Sequence, residues 1–182
     1  MKNHILFLIL FISLSSSILA QKEISFPSIA CKKLNDKSFS IPDSTKGKYT
    51  IIGIAYSKKA EKSLTTWYEP AYQTFIQKKK TVFADDVYNV NTYFIAVFTG
   101  INKAVSDDAI KSMKAQIQKE LQPHVLTYTG EFNSYKKTLS ITENDEPYIF
   151  VLDDKGVIVL TISGAFSEEK MKKIEEEVSE AE

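Results

Sequence analysis

The sequence contains no arginine and only one cysteine, Cys31, among its 182 residues. A lone cysteine excludes an intrachain disulfide, a cysteine-rich zinc site and a dithiol redox pair. The 23 lysines are matched by 23 acidic residues, so the formal net charge is zero. Because nucleic-acid-binding surfaces need a basic excess and rely on arginine, this composition argues against a nucleic-acid partner. Hydrophobic residues make up 43% of the chain, which is enough to fill the core of one ordinary domain.

The sequence also lacks the motifs of common cofactor and metal sites. It has no glycine-rich phosphate loop, no serine nucleophile elbow and no calcium-loop pattern. His124 is the only histidine after the N-terminal segment, and no cysteine or acid lies near it at metal-ligand spacing. We therefore expect His124 to be a strand-edge side chain, and we expect neither a cofactor nor a metal.

Residues 1–20 have the pattern of a secretory signal peptide. Lys2 opens the chain, residues 5–14 are almost entirely apolar, and a run of serines leads to a cleavage site between Ala20 and Gln21. The alternative is an uncleaved membrane anchor, but the apolar run is shorter than the roughly 20 residues that span a bilayer. We predict an exported protein, periplasmic or secreted, with no transmembrane segment after cleavage.

Strand and helix patterns alternate through residues 21–182. A hairpin over 29–41 is followed by an apolar, β-branched run at 49–56, which is typical of a strand buried on both faces. Further strands are predicted at 92–98, 124–128, 148–152 and 157–162, and helices at 63–80, 106–121, 132–139 and from Ser167 onward. This order predicts one α/β domain over residues 21–182, built around a mixed sheet.

The first predicted helix carries aromatic side chains at helical spacing, and we expect them to belong to the core rather than to a ligand platform. They are Trp67, Tyr68, Tyr72 and Phe75. Pro70 lies among them, where it should kink the helix or mark its start.

Three segments in order resemble the thioredoxin-like superfamily, in particular its exported bacterial branch. Residues 26–48 are similar to the Pro-led hairpin, ending in Gly-Lys, that precedes the first central strand of that branch. Residues 49–80 are similar to the strand and helix that carry its Cys-x-x-Cys motif, and residues 146–156 to its cis-proline, apolar strand and Asp/Gly turn. The resemblance implies a thioredoxin-like sandwich with an N-terminal β-hairpin, a mixed central sheet, helices on both faces and a cis bond before Pro147.

The sequence departs from this family at the thiol pair. Matching from the strand places the two cysteine positions at Lys58 and Glu61, and matching from the helix proline places them at Lys62 and Thr65. No cysteine lies between residues 49 and 182. We therefore expect no dithiol redox activity and a role as a protein-binding or assembly module rather than an enzyme. A purely structural role in the envelope stays open.

A looser likeness points the same way. The helix with Trp67, the segment Tyr148 to Asp153, and Ser163-Gly164-Ala165 followed by Glu168 are similar to the mitochondrial ATP-synthase assembly factor of thioredoxin fold. That family also lacks the cysteine pair and acts as an assembly chaperone. The likeness carries no individual functional residue to this chain.

The candidate binding loop has a basic and an acidic side. Its members are Lys58, Lys59, Glu61 and Lys62 at the position of the redox site, with Glu146 and Pro147 opposite. The resemblance implies that the two segments together form a docking surface for an envelope protein or peptide, and the alternative is a solvated loop. An ion pair across the site would contribute only ~0–1 kcal/mol if exposed.

Cys31 is the candidate thiol. It lies in the predicted hairpin beside Lys32 and Lys33, outside the redox segment. Neighbouring residues on a strand point to opposite faces, which favours an inert, half-buried side chain. The alternative function is a one-cysteine protein that forms mixed disulfides through Cys31.

Overall fold

A computed structural model describes residues 23–77, 88–100 and 106–179; the predicted signal peptide lies outside these ranges. The described residues form one seven-stranded mixed sheet in the order β2-β1-β5-β4-β3-β6-β7. The strands are β1 (Ile29–Lys33), β2 (Ser38–Ile41), β3 (Thr50–Ala55), β4 (Asn91–Phe98), β5 (Val125–Thr129), β6 (Tyr148–Leu152) and β7 (Ile158–Ser163). The helices are α1 (Lys58–Leu64), α2 (Tyr68–Ala71), α3 (Ser106–Gln116), α4 (Asn133–Thr138) and α5 (Glu168–Ser179).

Strand β3 lies in the interior of this sheet, between β4 and β6. It pairs in parallel with β4 and antiparallel with β6, and all six of its residues are buried. The apolar run at 49–56 therefore predicted a strand covered on both faces correctly. Gly53 is required in it, because a Cβ there would lie 2.8 Å from side-chain carbons of both Leu64 and Phe94.

Helices cover both faces of the sheet, which confirms the predicted sandwich. One face packs α1, α2 and α5 in a cluster that includes Trp67, Phe75 and Met171. The other face packs against the residues flanking α4, among them Phe132 and Leu139, in a cluster that also includes side chains of the N-terminal hairpin. The predicted core role of the aromatic residues is confirmed for Trp67 and Phe75, which are 1% and 8% exposed.

Both predicted hairpins are present. Strands β1 and β2 pair antiparallel, as do β6 and β7. In the second turn, the Asp153 carboxylate accepts hydrogen bonds from the backbone N–H groups of Lys155 and Val157 at 2.9 and 2.8 Å. Gly156 follows at φ +90°, a conformation that glycine adopts without strain.

The prediction that the first helix begins at Ser63 is wrong. The helix begins at Lys58, and Ser57 is its N-cap. The apolar stripe starts earlier than predicted because Ala60 is fully buried, although its side chain is small and flanked by charged residues. After α1 the hydrogen-bond pattern changes to a 3₁₀ turn at Thr65–Trp67 and a π-helical turn at Tyr72–Ile76.

Pro70 lies within α2, between these two irregular turns. Because proline lacks an N–H and cannot donate to the preceding turn, it accounts for a break in regular α-helix here, as predicted. The last part of the predicted helix, residues 78–80, lies outside the described residues.

Helix α3 ends at Gln116 rather than at the predicted Leu121. The side-chain amide of Gln122 donates hydrogen bonds at 3.0 Å to the carbonyls of Lys114 and Ile117. These bonds satisfy carbonyl groups at the helix end that would otherwise lack a partner. The chain then turns through Gln122–His124 into β5.

Because β3 is buried, replacing isoleucine by alanine should destabilise the protein much more in β3 than at an exposed position. Ile52→Ala should lower the free energy of unfolding by about 2–5 kcal/mol, because Ile52 is 0% exposed and leaves a cavity. The same change at Ile24, which is 46% exposed, should cost no more than about 0.5 kcal/mol. Urea unfolding of both variants measures the difference, and equal costs would contradict the core position of β3.

Candidate functional site

The candidate site lies where β3 ends and α1 begins, the position at which the thioredoxin fold carries its thiol pair. Ser57 accepts a hydrogen bond from the Ala60 N–H at 3.0 Å and thereby caps the helix. A helix N-terminus lowers the pKa of a thiol, so a thiol pair belongs at the helix start. Of the two predicted registers, Lys58 and Glu61 fit this place, and Lys62 and Thr65 lie a turn too far along.

The structure corrects the description of these residues as a loop. Lys58, Lys59, Glu61 and Lys62 all lie on α1. The three lysines are exposed and Glu61 is half-buried. The facing segment before β6 is a loop, in which Glu146 is exposed and Pro147 is buried. The predicted binding loop is therefore a helix end facing a loop.

An ion pair joins the two sides of the site. Lys59 Nζ lies 3.5 Å from the Asp145 carboxylate, and the Ser57 hydroxyl donates to the same carboxylate at 3.2 Å. The Lys59 and Asp145 side chains are 75% and 58% exposed, so the ion pair contributes at most about 1 kcal/mol. Sequence reasoning named Glu146 and Pro147 on the acidic side but did not single out Asp145 or Ser57.

Two tyrosines fix the backbone of the facing loop. The Tyr148 hydroxyl accepts hydrogen bonds from the N–H groups of Thr142 and Glu143 at 3.2 and 3.0 Å. The Tyr56 hydroxyl donates to the carbonyl of Glu143. Each tyrosine lies at one end of a central apolar strand, which was the only signal in the sequence that could have identified it.

Lys136 and Asn144 make further contacts that hold the same loop. The Lys136 ammonium lies over the Tyr56 ring, 5.0 Å from its centroid, and also donates to the side-chain oxygen of Asn144. Burial raises the pKa of the Tyr56 hydroxyl to about 12, so this group stays protonated and can donate to Glu143 at neutral pH. The loop is therefore held through both its backbone and its side chains.

The expected cis bond before Pro147 is wrong. Its peptide bond is trans, and the only cis bond in the described ranges precedes Pro42. The trans isomer is intrinsically favoured, and the loop geometry here is set by hydrogen bonds from Tyr56 and to Tyr148 instead. The Pro147 carbonyl accepts a hydrogen bond from the Gly164 N–H at 2.9 Å, which continues the pairing of β6 with β7.

Cys31 lies away from this site, on β1. Strands β5 and β4 separate β1 from β3, which corresponds to about 14 Å at ordinary strand spacing. The thiol is 4% exposed, within the apolar cluster that contains Phe26 and Ile41. Burial raises its pKa to about 12, so the reactive thiolate form is disfavoured at neutral pH.

His124 is held by a backbone contact of its own. The His124 Nδ1 lies 2.9 Å from the carbonyl oxygen of Thr92, and burial lowers the pKa of the imidazole. The histidine is the last residue of the turn Gln122–His124, directly before β5, so the predicted strand over 124–128 starts one residue later than expected. Within residues 23–77, 88–100 and 106–179, no group of three or more potential ligands could hold a metal ion.

The chain matches one protein-family model over most of its length. The sequence model of one family, described as ATP10 protein, matches residues 9–180. No curated protein sequence matches the chain significantly. None of the helices in the described part of the chain has the length and apolar character needed to cross a bilayer.

Solved structures of similar fold cover most of the chain. The exposed lipoprotein thioredoxin Etrx1 of Streptococcus pneumoniae has a TM-score of 0.54 and 17% identity, over 83% of this chain and 99% of that one. A putative thiol:disulfide interchange protein DsbE from Chlorobium tepidum has a TM-score of 0.54 and 14% identity, over 87% and 96%. Yeast Sco1 with copper bound has a TM-score of 0.53 and 14% identity, over 86% and 93%. At these identities the likeness shows the thioredoxin-like fold alone.

The burial of Cys31 predicts its labelling behaviour. In the folded protein at pH 8, iodoacetamide should leave Cys31 almost unmodified over a period in which the urea-unfolded protein is labelled completely. The matched control moves the thiol by one residue, in the double variant Ala30→Cys, Cys31→Ala, because position 30 is exposed on the same strand. Mass spectrometry should show rapid labelling of this variant. Equal rates for folded wild type and control would contradict an inert Cys31.

The hydrogen bonds to the Tyr148 hydroxyl predict that removing this group loosens the loop before β6. Tyr148→Phe leaves two backbone N–H groups without their acceptor and should lower the free energy of unfolding by about 1–3 kcal/mol. Hydrogen exchange at Thr142 and Glu143 should accelerate. Tyr135→Phe is the control, because that ring acts through packing on Tyr128 and Phe132 and should change stability by no more than about 0.5 kcal/mol. Unchanged exchange in Tyr148→Phe would show that other contacts order the loop.

Proposed function

The chain belongs to the ATP10 protein family, and from this premise we propose that it is an exported thioredoxin-fold protein without dithiol redox activity that binds a partner protein during complex assembly. Export rests on the signal-peptide pattern of residues 1–20. The assembly role rests on the family and on the chemistry of the candidate site.

The proposal rests on the residues that occupy the position where redox members of the fold carry their thiol pair. Thiol–disulfide exchange needs an exposed thiolate at the reacting position. Lys58 and Glu61 occupy that position at the start of α1. The single thiol, Cys31, is buried in another part of the sheet. The scaffold is thus kept while the group that performs the chemistry is missing.

The retained scaffold supports binding. In redox members of the fold, the start of this helix and the loop before β6 hold the substrate peptide between them. Here the same two segments face each other, joined by Ser57, Lys59 and Asp145. Since proteins of this family assist ATP-synthase assembly, a subunit of an ATP synthase is the first partner to test.

The alternative function, a mixed disulfide through Cys31, has less support. A partner cysteine would have to reach a thiol that is 4% exposed and whose pKa is raised by burial. Such a step requires local opening of the N-terminal hairpin before any reaction.

Two measurements test the proposal. The protein should not reduce the insulin disulfide with dithiothreitol as electron source beyond the dithiothreitol background, and Cys31→Ala should behave identically. In a pull-down from the native envelope after amine crosslinking with a non-cleavable reagent, the tagged protein should capture a stoichiometric partner. That band should not depend on reductant, and antibodies should test it for ATP-synthase subunits. Insulin reduction by the protein would contradict redox inactivity, and a band that disappears on reduction would favour the Cys31 alternative.

Charge reversal localises the partner surface. Lys58→Glu at the candidate site should reduce partner capture several-fold. Lys155→Glu is the control, because that exposed lysine lies in the β6–β7 turn at the opposite end of β6. Equal capture by both variants would place the partner elsewhere on the molecule.

A further inference from the structure

A second surface feature begins at the candidate site and runs along the same helix. A cleft of about 290 Å³ lies between α1–α2 and the end of α3. It is near the lower limit of pockets that hold small molecules, so it suits one side chain better than a cofactor. Its walls are both polar and apolar: Tyr68, Met113, Ile117 and Leu121 line it together with the carboxylates of Glu61 and Glu69 and further polar side chains.

The charged side chains that line the cleft are all acidic among the described residues. Two carboxylates line it, and none of the 23 lysines of the chain is among the described residues that do so. The Glu69 carboxylate already accepts a hydrogen bond from the Gln73 amide at 2.6 Å. In the described part of the chain, no hydrogen bond or ion pair engages the Glu61 carboxylate.

Glu61 is a half-buried carboxylate that forms no ion pair with any residue in the described ranges. Burial raises its pKa, and the exposed Lys58 one turn away opposes this effect only in part. A desolvated charge of this kind gains most from a cation that reaches it through the cleft. Tyr68 lies close enough for the Glu61 charge to raise the pKa of its hydroxyl further, beyond the larger effect of burial.

The cleft is connected to the candidate site through Glu61. A second cleft of about 80 Å³ also includes Glu61 among its lining residues, together with Ser57, Lys58 and Phe98. A partner that contacts the start of α1 can therefore extend a side chain toward the larger cleft without leaving the surface.

We propose that this cleft binds an arginine side chain of the partner protein. The aliphatic stem of arginine packs on Met113 and Ile117, and its guanidinium donates to the Glu61 carboxylate beside the Tyr68 ring. Arginine suits a half-buried carboxylate better than lysine, because its planar fork pairs with both oxygens and is more weakly hydrated. The chain has no arginine, so neither its own residues nor a second copy can supply this group.

This inference rests on the proposed function, since it specifies the chemistry by which the partner is recognised. It is tested directly with acetyl-arginine methylamide, titrated into the ¹⁵N-labelled protein. Amide shifts should concentrate at Glu61, Tyr68 and Ile117. The neutral isostere acetyl-citrulline methylamide should produce none, and acetyl-lysine methylamide (free ε-amine) should bind several-fold more weakly. Equal shifts with citrulline would overturn the proposal, and equal affinity for the lysine compound would overturn the choice of arginine.

Two glutamine variants separate the roles of the two carboxylates. Glu61→Gln should weaken binding of the arginine compound at least ten-fold. Glu69→Gln, in the same cleft, should weaken it less than two-fold because its carboxylate is engaged by Gln73. The urea midpoint of Glu61→Gln should equal or exceed that of wild type, since the change removes a half-buried charge. Wild-type affinity in Glu61→Gln would refute the site.

The pull-down with Glu61→Gln distinguishes the two proposals. If wild type and Glu61→Gln capture the same partner equally, the assembly role stands and the arginine site is wrong. If the arginine compound binds at Glu61 but no partner is captured, the site stands and the assembly role is wrong. Capture that is lost in Glu61→Gln and kept in Glu69→Gln supports both.

Discussion

The burial of β3 on both faces is the constraint on which the rest of the structure depends. A strand covered on both sides needs helices above and below it, and Gly53 lets Leu64 and Phe94 approach its backbone closely. The helix that follows β3 must therefore begin directly at the edge of the sheet. Ser57 caps it there, so that the start of α1 and the loop before β6 face each other. The candidate site follows from this packing and not from any residue that reacts.

The site loop shows how the fold is maintained without its usual chemistry. A loop at a sheet edge must find partners for its backbone groups, and each unsatisfied group would cost about 1–3 kcal/mol if buried. In this chain Tyr56 and Tyr148 supply those partners. Both extend from central strands, so the position of the loop is tied to the sheet itself. A trans bond before Pro147 is compatible with this arrangement.

Features set by a few neighbouring residues could be predicted from the sequence, whereas features set by tertiary contacts could not. The strand β3, the two hairpins and the Ser167 cap follow from runs and turn residues in a few neighbouring positions, and sequence reasoning found them. The start of α1 was missed because Ala60 is buried by the sheet, although its charged neighbours indicate a surface. The isomer at Pro147 was missed because the two isomers differ by only about 0.5–1 kcal/mol in isolation, so that the residue type alone does not determine it.

The residues around Glu61 were beyond reach for the same reason. The sequence singles out Glu61, but its surroundings come from α3, about fifty residues later in the chain. Met113 and Ile117 come next to Glu61 only because the end of α3 approaches α1 in the folded chain. Sequence spacing within α1 cannot show this contact, since it relates only residues of the same helix.

The charges at the start of α1 also favour a binding role for this surface. Positive side chains at a helix N-terminus oppose the helix dipole, and each costs about 0.3–1 kcal/mol at an exposed position. Lys58 and Lys59 both lie there, and of the two only Lys59 forms an ion pair, with Asp145, in the described residues. Glu61, one turn into the helix, is half-buried without an ion pair. Local choices that disfavour the fold are expected where a surface serves a partner, because the partner can supply the missing charges. The two exposed cations at the start of α1 are understandable on this basis, whereas the helix dipole alone would favour acidic residues there.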